Sequence, residues 1–318
     1  MNALRVSPRT AVILTLASLA ALASFTWPFF VSAQPEATAR TTEAPLVFVV
    51  MLPVLLAVVV AELSSGGIDS KTLALLGVLA AVNAALRPLG AGTAGIETVF
   101  FLLVLAGRVF GPGFGFLLGA ISLFASALLT AGVGPWLPFQ MLAAAWFGLG
   151  AGLLPARLRG RAEIAVLAGY GAVAAYGYGL LMNLWFWPFS IGADTQLSYV
   201  AGAPVLENLH RFVVFTAVTS TFGWDTGRAI TTAVVVVLAG PAVLAVLRRA
   251  ARRAAFGAPI TFVPTSSAGT PTDPPPTAAP PSDPSPSSAG TPSDPSPSDP
   301  VAGRWQRRTP GARRPGEA

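Results

Sequence analysis

The sequence predicts an all-α polytopic membrane protein that ends in a disordered tail. Only 11% of the 318 residues are charged and 53% are hydrophobic, whereas about 25% of the residues in an ordinary soluble domain are charged. No charged residue occurs between Val109 and Ala156, and a water-soluble fold cannot place so long an uncharged stretch in core and loops alike. The expected environment of the chain is therefore a lipid bilayer.

Eight hydrophobic segments run along the chain, and each is predicted to form a transmembrane helix, which needs about 20 residues. Their bounds are roughly Ala11–Phe30, Ala44–Ala61, Thr72–Leu86, Thr98–Phe110, Phe114–Leu129, Trp136–Leu154, Ile164–Phe189 and Ala229–Leu247. Because the third and fourth are short, we expect them either to extend through flanking polar residues or to be tilted and shielded by neighbours. The first, preceded by Arg5 and Arg9 and followed by Val31-Ser32-Ala33, also resembles a secretory signal; its length favours a retained helix.

The distribution of lysine and arginine predicts the orientation of these helices. With the N-terminus inside, eleven basic residues fall on the cytoplasmic side and four on the outer side. The four outer residues are Arg40, Arg87, Arg211 and Arg228. The predicted location is the plasma membrane, and eight crossings then place both termini in the cytoplasm. The apolar stretch Phe212–Phe222 is too short to cross, so we predict an interfacial or re-entrant helix there, within a long outer loop, Pro188–Thr226.

The composition changes abruptly after the last hydrophobic segment. From Ala258 onward the chain consists mainly of Pro, Ser, Thr, Asp and Gly, and the hexapeptide SSAGTP occurs twice. Such a segment buries too little apolar surface to offset the entropy lost on ordering. We therefore predict two additional transmembrane helices over residues 1–68, a helical core over 69–257 and a disordered cytoplasmic tail over 258–318.

Several kinds of chemistry are excluded by composition. The chain has no cysteine and a single histidine, His210, which excludes disulfides, thiolate catalysis and multi-histidine metal sites. The single lysine, Lys71, lies in GGIDSKT, where serine replaces the glycine that precedes the lysine in a phosphate-binding loop. No Gly-x-Ser-x-Gly elbow is present. We predict no enzyme, no cofactor and no nucleic-acid partner, since most arginines flank hydrophobic segments and set membrane orientation.

The acidic residues do not indicate an ion-coupled carrier. Such carriers usually have ionisable groups near the bilayer midplane. Within the core, the acids are predicted to lie at helix ends or in loops: Glu97, Glu163, Asp194, Glu207 and Asp225. If the protein moves a solute, its energy source is expected to be another polypeptide.

Small residues recur at four-residue spacing, which lets membrane helices approach closely. The three runs are Gly77–Ala81–Ala85, with Ala80 and Ala84 beside it, Gly111–Gly115–Gly119 and Ala144–Gly148–Gly152. Packing within one bundle explains most of these faces. For the first run we favour docking of a partner protein, because this helix begins the core after a polar break.

Polar and aromatic residues converge at the predicted outer ends of the helices, which is typical of a solute pocket. The candidate substrate-binding residues are Asn83, Arg87, Glu97, Trp136, Gln140, Asn183, Trp187, His210, Trp224 and Asp225. Two alternatives stay open. The tryptophans are also typical of an aromatic belt at the membrane interface, and Gln140 is equally suited to a hydrogen bond between helices.

Residues 69–256 resemble the substrate-binding subunits, or S components, of energy-coupling factor (ECF) transporters. The resemblance rests on KTLALLGVLAAVNAALRPLGAGTAGIETVFFLLVLAGRVFGPGFGFLLGA and GVGPWLPFQMLAAAWFGLGAGLLP. It implies a six-helix core, to which this chain adds two N-terminal helices and the tail.

The resemblance also implies a function and partners. It assigns the alanine-rich face of the first core helix to docking on the membrane-embedded coupling (T) subunit, which carries two ATPase subunits. The S component is then expected to capture a vitamin or related micronutrient, of cobalamin type given the long outer loop, and to topple within the bilayer to deliver it. Two alternatives are a membrane scaffold or assembly protein without a solute, and a membrane enzyme acting on lipid.

Overall fold

Helices account for all regular structure in the part of the chain that the structure describes. The computed structural model describes residues 7–29, 70–90, 95–190, 195–200 and 202–254, with a few positions between 50 and 61. The α-helices of these ranges are α1 Pro8–Phe25, α2 Ser70–Leu86, α3 Val99–Phe110, α4 Pro112–Leu129, α5 Leu137–Leu153, α6 Gly160–Ser190, α7 Val205–Thr216 and α8 Thr226–Ala254. No strand occurs there, so the all-α class is confirmed.

Five helices of the described ranges are long and apolar enough to cross a membrane: Pro8–Phe25, Ser70–Leu89, Pro112–Leu129, Gly160–Pro188 and Val205–Ala254. The third predicted segment does extend, through a 3₁₀ turn at Arg87–Leu89. The fourth, α3, does not, and its 12 residues span only ~18 Å of a hydrocarbon layer ~30 Å thick. Its side chains are instead almost all buried by α4, α5 and α8, so neighbouring helices shield it.

Two predicted regions lie largely or wholly outside the described residues. They are the second hydrophobic segment, Ala44–Ala61, and the proline-rich tail. All described residues belong to the first of two compact units, Met1–Ile260. The three-part division at residues 68 and 257 therefore stays a prediction.

The first helix packs against the core through its C-terminal end. Phe25 is fully buried, and its ring lies edge-on 4.9 Å from that of Phe139 and 5.9 Å from that of Trp146. The indole of Trp146 donates a hydrogen bond of 2.8 Å to Ser18 Oγ. Ser7 caps the start of the helix by accepting from the Thr10 amide, as N-cap serines do. Helix α1 therefore covers one side of α5.

The prediction of a long outer loop over Pro188–Thr226 is wrong from residue 205 onward. Residues 205–254 form one continuous helix of 50 residues, in which the π-helical segment Ala217–Asp225 joins α7 to α8. The polar sequence around Asp225 looks like a loop, but Asp225 and Arg228 pair with each other inside the helix. The whole helix is one candidate membrane span, and the interfacial position of residues 212–222 and the orientation stay predictions.

The second and third small-residue runs face each other across α4 and α5, so their role in packing one bundle is confirmed. A Cβ added at Gly115 would overlap the carbonyl of Gly148, and one added at Gly119 would overlap the carbonyl of Ala144. Gly152 lies equally close to the start of α4. The absence of side chains at these glycines lets the two backbones touch.

Buried ion pairs of the described residues lie at opposite ends of α3. Arg108, in the last turn of α3, contacts Glu163 at 2.7 Å. Glu97, just before α3, contacts Arg228 at 3.0 Å. We call these the Glu163 end and the Glu97 end of the bundle. The charge-free middle suits the interior of a membrane protein.

Candidate functional site

A buried arginine organises the Glu97 end. The guanidinium of Arg228 donates to both carboxylate oxygens of Glu97, with Nε–Oε2 at 3.2 Å and Nη2–Oε1 at 3.0 Å. Its Nη1 donates to Asp225 Oδ1 at 2.8 Å. Two further donors complete the carboxylates: Trp224 Nε1 to Glu97 at 3.3 Å and Ser220 Oγ to Asp225 at 2.9 Å. This fork-like pairing is the strongest kind of protein hydrogen bond.

The cation is also covered by aromatic rings. The guanidinium carbon of Arg228 lies 5.1 Å from the ring centre of Tyr178 and 5.6 Å from that of Phe100. A cation that is shielded from water in this way gains from the ring quadrupoles. With two carboxylates and one guanidinium, the cluster carries one net negative charge.

Two glycines make room for this cluster. Gly95 has φ of +77°, and a Cβ there would overlap the carbonyl of Trp224. It allows the segment before α3 to lie against the 50-residue helix, which brings Glu97 within reach of Arg228. On α6, a Cβ at Gly179 would occupy the position of the Asp225 carboxylate. Both positions therefore require a residue without a side chain.

A cleft of ≈ 390 Å³ opens beside the cluster. It is lined by Gly179, Met182, Asn183, Phe186, Phe215, Thr219, Ser220, Trp224, Asp225 and Arg228. The side-chain nitrogen of Asn183 is buried and has no hydrogen-bond partner among the described residues. A buried donor without a partner costs about 1–3 kcal/mol. The cleft thus combines an apolar and aromatic wall with an unused amide donor, as solute sites do.

Four of the predicted substrate-binding residues lie at this cluster or cleft, and the other predicted residues lie elsewhere. Glu97, Asn183, Trp224 and Asp225 belong to the cluster or line the cleft. Asp225 lies within the continuous helix rather than in the loop that we expected.

A second pair of predicted residues forms its own contact. Arg87 Nη2 donates to Gln140 Oε1 at 3.0 Å, which is the hydrogen bond between helices that was one of the two alternatives for Gln140. Trp136 is 40% exposed and its indole donates to the Gly132 carbonyl, in the turn before α5. Neither Trp136 nor Gln140 lines the cleft at Arg228.

Three predicted residues have other surroundings. Asn83 is fully buried and donates to Ser122 Oγ at 2.9 Å, so it joins α2 to α4. Trp187 is 1% exposed and donates to the Leu197 carbonyl. His210 lies on the exposed side of α7. None of the three lines the cleft at Arg228, and the burial of Asn83 and Trp187 is that of packing residues.

Sequence reasoning missed the central residue, Arg228, because it counted that arginine only as an outer charge. The signal was present in the spacing, since Asp225 and Arg228 are three residues apart and such pairs meet on one helix face. Tyr178, Ser220 and Gly179 were also missed. Nothing local marks Tyr178 and Gly179, because their contacts come from elements distant in the chain. Ser220 donates to Asp225 only through the five-residue register of the π-helical segment, which the sequence does not reveal.

The predicted docking face of α2 is divided by the structure. Gly77, Ala81 and Ala85 are exposed along one side of the helix. Ala80 is 3% exposed and Ala84 is fully buried, so these two pack inside the bundle and their assignment to the docking face is corrected. The helical period explains the division, since residues one position apart point about 100° away from each other.

No group of three or more histidine, cysteine or acidic side chains that could hold a metal ion occurs among the described residues. The chain matches the ECF transporter substrate-specific component family over residues 71–247. The match covers more than half of the chain and includes the Arg228 cluster and the exposed face of α2. No curated protein and no solved structure matches the chain. The protein, a multi-pass membrane protein by its helices, thus belongs to the substrate-specific components of ECF transporters, which are transporter subunits rather than enzymes.

Proposed function

We propose that this chain captures a vitamin-like micronutrient in the cleft at Arg228. The observation that supports this proposal most directly is that the buried amide nitrogen of Asn183 has no hydrogen-bond partner. It lies beside an aromatic wall and a fully paired ion cluster. An oxygen or ring nitrogen of a solute would satisfy this donor after rotation of the Asn183 side chain toward the cleft that it lines. Membership of a family of substrate-specific transporter subunits supports the same assignment.

The chemistry of the cleft favours a particular kind of solute. Trp224, Phe186 and Phe215 offer a surface for a flat or apolar ring. The one net negative charge of the cluster is offset by the cation of Arg87 at the same end, so charge favours a neutral molecule over an anion or a cation. A volume of ≈ 390 Å³ is near the lower end of small-molecule sites, about 300–1,000 Å³. We therefore favour a solute smaller than cobalamin, which was expected only from the length of the 188–226 segment.

The contact between Arg87 and Gln140 is proposed as a second, outer point of solute recognition. It lies at the same Glu97 end, since Arg87 follows α2 and Gln140 lies in the first turns of α5. With the predicted orientation, this end faces outward and both termini are cytoplasmic. The cleft would then load from outside.

The energy for import is proposed to come from partners. The family associates with a membrane-embedded T subunit and its ATPase subunits, and this chain lacks a phosphate-binding loop. We propose that Gly77, Ala81 and Ala85 form the surface for the T subunit, because small exposed side chains let another helix approach closely. The surrounding bilayer is the second partner of the bundle.

The proposal is tested by the small molecule that co-purifies with the protein. Mass spectrometry would quantify it per mole of wild-type protein, Trp224→Ala and Phe222→Ala. Both variants remove an aromatic ring from the same π-helical segment, but Phe222 is 81% exposed and does not line the cleft. We expect Trp224→Ala to bind about tenfold more weakly, equivalent to about 1.4 kcal/mol, and Phe222→Ala to bind like wild type.

Two outcomes would contradict the proposal. Equal retention by both variants would remove the cleft as the site. If the wild-type protein carries no molecule and no vitamin raises its unfolding temperature, the alternative of a membrane scaffold without a solute is favoured instead.

A further inference from the structure

A second charged cluster, at the Glu163 end, contains more positive charge than negative charge. Arg108 donates through Nε to Glu163 at 2.7 Å, and through its two Nη atoms to the carbonyls of Leu154, Pro155 and Leu158. Arg108 and Glu163 are buried, with side chains 8% and 2% exposed. This pair is therefore a neutral, hydrogen-bonded unit that fixes the turn between α5 and α6.

Arg248 adds a charge that this pair does not balance. Its Nη2 also contacts Glu163, at 2.6 Å, but its side chain is 42% exposed. Arg161, two residues before Glu163 on α6, is exposed as well and is absent from the ion pairs of the described residues. One carboxylate thus binds two guanidinium groups, and the exposed Arg161 adds a third positive charge nearby in the chain, so the surplus positive charge lies on the accessible side.

The two surplus arginines stand at the end of an apolar groove between α6 and α8. The groove has a volume of ≈ 610 Å³. Its walls are Ile164 and Ala165 on α6 and Val237, Pro241 and Leu244 on α8.

The groove opens onto an exposed apolar surface. Val237 is 51% exposed, and its neighbours Val234 and Leu238 are also exposed apolar residues on a membrane-spanning helix. An occupant can therefore enter sideways from the bilayer. An apolar trough that ends in arginines matches a molecule with a hydrocarbon tail and an anionic head.

We propose that this groove is a binding site for an anionic phospholipid, with an acyl chain along the α6–α8 walls and the phosphate at Arg161 and Arg248. Charge complementarity selects this occupant over a zwitterionic lipid. The apolar length of the groove selects it over free phosphate, which would contact only the two arginines. In the predicted orientation the site lies in the cytoplasmic leaflet, where surface charge from anionic lipids is concentrated.

The test is a lipid titration of the purified full-length protein in detergent, followed by native mass spectrometry. The probes are phosphatidylglycerol and phosphatidylcholine with identical acyl chains, compared in wild type, Arg161→Gln, Arg248→Gln and Arg249→Gln. Arg249 is exposed on the same helix but does not line the groove, so its variant makes the same charge change elsewhere. We expect each of the first two variants to lose about fivefold in phosphatidylglycerol affinity, which corresponds to about 1 kcal/mol per arginine, and Arg249→Gln to lose none.

A steric variant separates a groove from a merely basic surface. Ala165→Trp fills the trough without changing charge, and we expect it to reduce phosphatidylglycerol binding by at least the same factor while the unfolding temperature stays within a few degrees. Equal losses in all three arginine variants would indicate bulk electrostatics and overturn the proposal. So would equal affinity for the two lipids, or unchanged binding in Ala165→Trp.

Discussion

The most instructive residue of this protein is an arginine that is nearly inaccessible to solvent inside an apolar bundle. Removing a charge from water costs several kcal/mol, and the cost is recovered only when partners are well placed. Arg228 is 5% exposed and has a fork-like pair with Glu97, a second carboxylate and two aromatic faces. Its role is therefore to hold the start of α3 against the long helix and to shape the adjoining cleft.

Removing this cation should strongly destabilise the fold. Arg228→Gln leaves Glu97 and Asp225 close together without a counter-charge, and breaking a buried pair in this way costs about 3–5 kcal/mol. Chemical unfolding in detergent would measure the loss.

The matched control is Arg211→Gln, which removes the same group from a partly exposed pair with Glu207. Exposed pairs are worth about 0–1 kcal/mol. Similar losses in the two variants would show that the burial of Arg228 contributes nothing to stability.

At the scale of elements, close helix contacts replace the hydrophobic effect, because lipid is as apolar as leucine. The contact between α4 and α5 depends on glycines whose missing side chains expose the backbone.

The π-helical segment 217–225 allows hydrogen bonds between residues that are five positions apart. Its five-residue register lets Ser220 donate to Asp225, and Thr226 donate to the Thr221 carbonyl at 2.6 Å.

Adding one methyl group should have opposite effects on stability at a glycine in a close helix contact and at a glycine with open space around it. Gly115→Ala places a Cβ against the Gly148 carbonyl, which cannot move without shifting α5, and we expect a loss of about 1–3 kcal/mol. Gly177→Ala, on α6, meets nothing within 4 Å and should gain up to about 1 kcal/mol from helix propensity. The measurement is the unfolding temperature of both variants in the same detergent. Destabilisation by Gly177→Ala, or tolerance of Gly115→Ala, would contradict this account of the α4–α5 contact.

At the scale of the whole molecule, the charged groups of the described residues 70–254 lie toward the two ends of the bundle, and the exposed side chains between them are mostly apolar. This distribution suits a subunit that changes its orientation in the bilayer, because a charge at the midplane costs at least about 3 kcal/mol. It also leaves the small-residue side of α2 as a surface without charge, on which a membrane-embedded partner can pack.

Larger side chains on the exposed small-residue side of α2 should abolish transport without preventing solute binding. Ala81→Leu or Ala85→Leu should abolish uptake in cells that express the ECF partners, while the purified variants retain the co-purified solute. Gly169→Leu is the control, because Gly169 is an exposed helical glycine on α6 with nothing within 4 Å of its Cβ. Loss of solute binding in Ala81→Leu, or equal loss of uptake in Gly169→Leu, would argue against docking through α2.

The sequence by itself determined the class of protein, the position of most helices and the family. Run length and hydropathy suffice for these, because a bilayer requires long apolar helices whatever their neighbours are. The same local logic failed at residues 205–225, where a polar break indicated a loop. The break is compatible with a helix because its charges are paired, Glu207 with Arg211 and Arg228 with both Asp225 and the distant Glu97.

Only the tertiary structure decided which polar residues meet. Asn83 and Trp187 have the composition of site residues but are used in packing, whereas Arg228 and Tyr178 become central through contacts with Glu97 and Phe100. Ala80 and Ala84 were likewise separated from the exposed side of α2 by the placement of neighbouring helices. Pairing between elements more than a hundred residues apart depends on how helices pack, and hydropathy carries no information about that because every membrane helix is apolar.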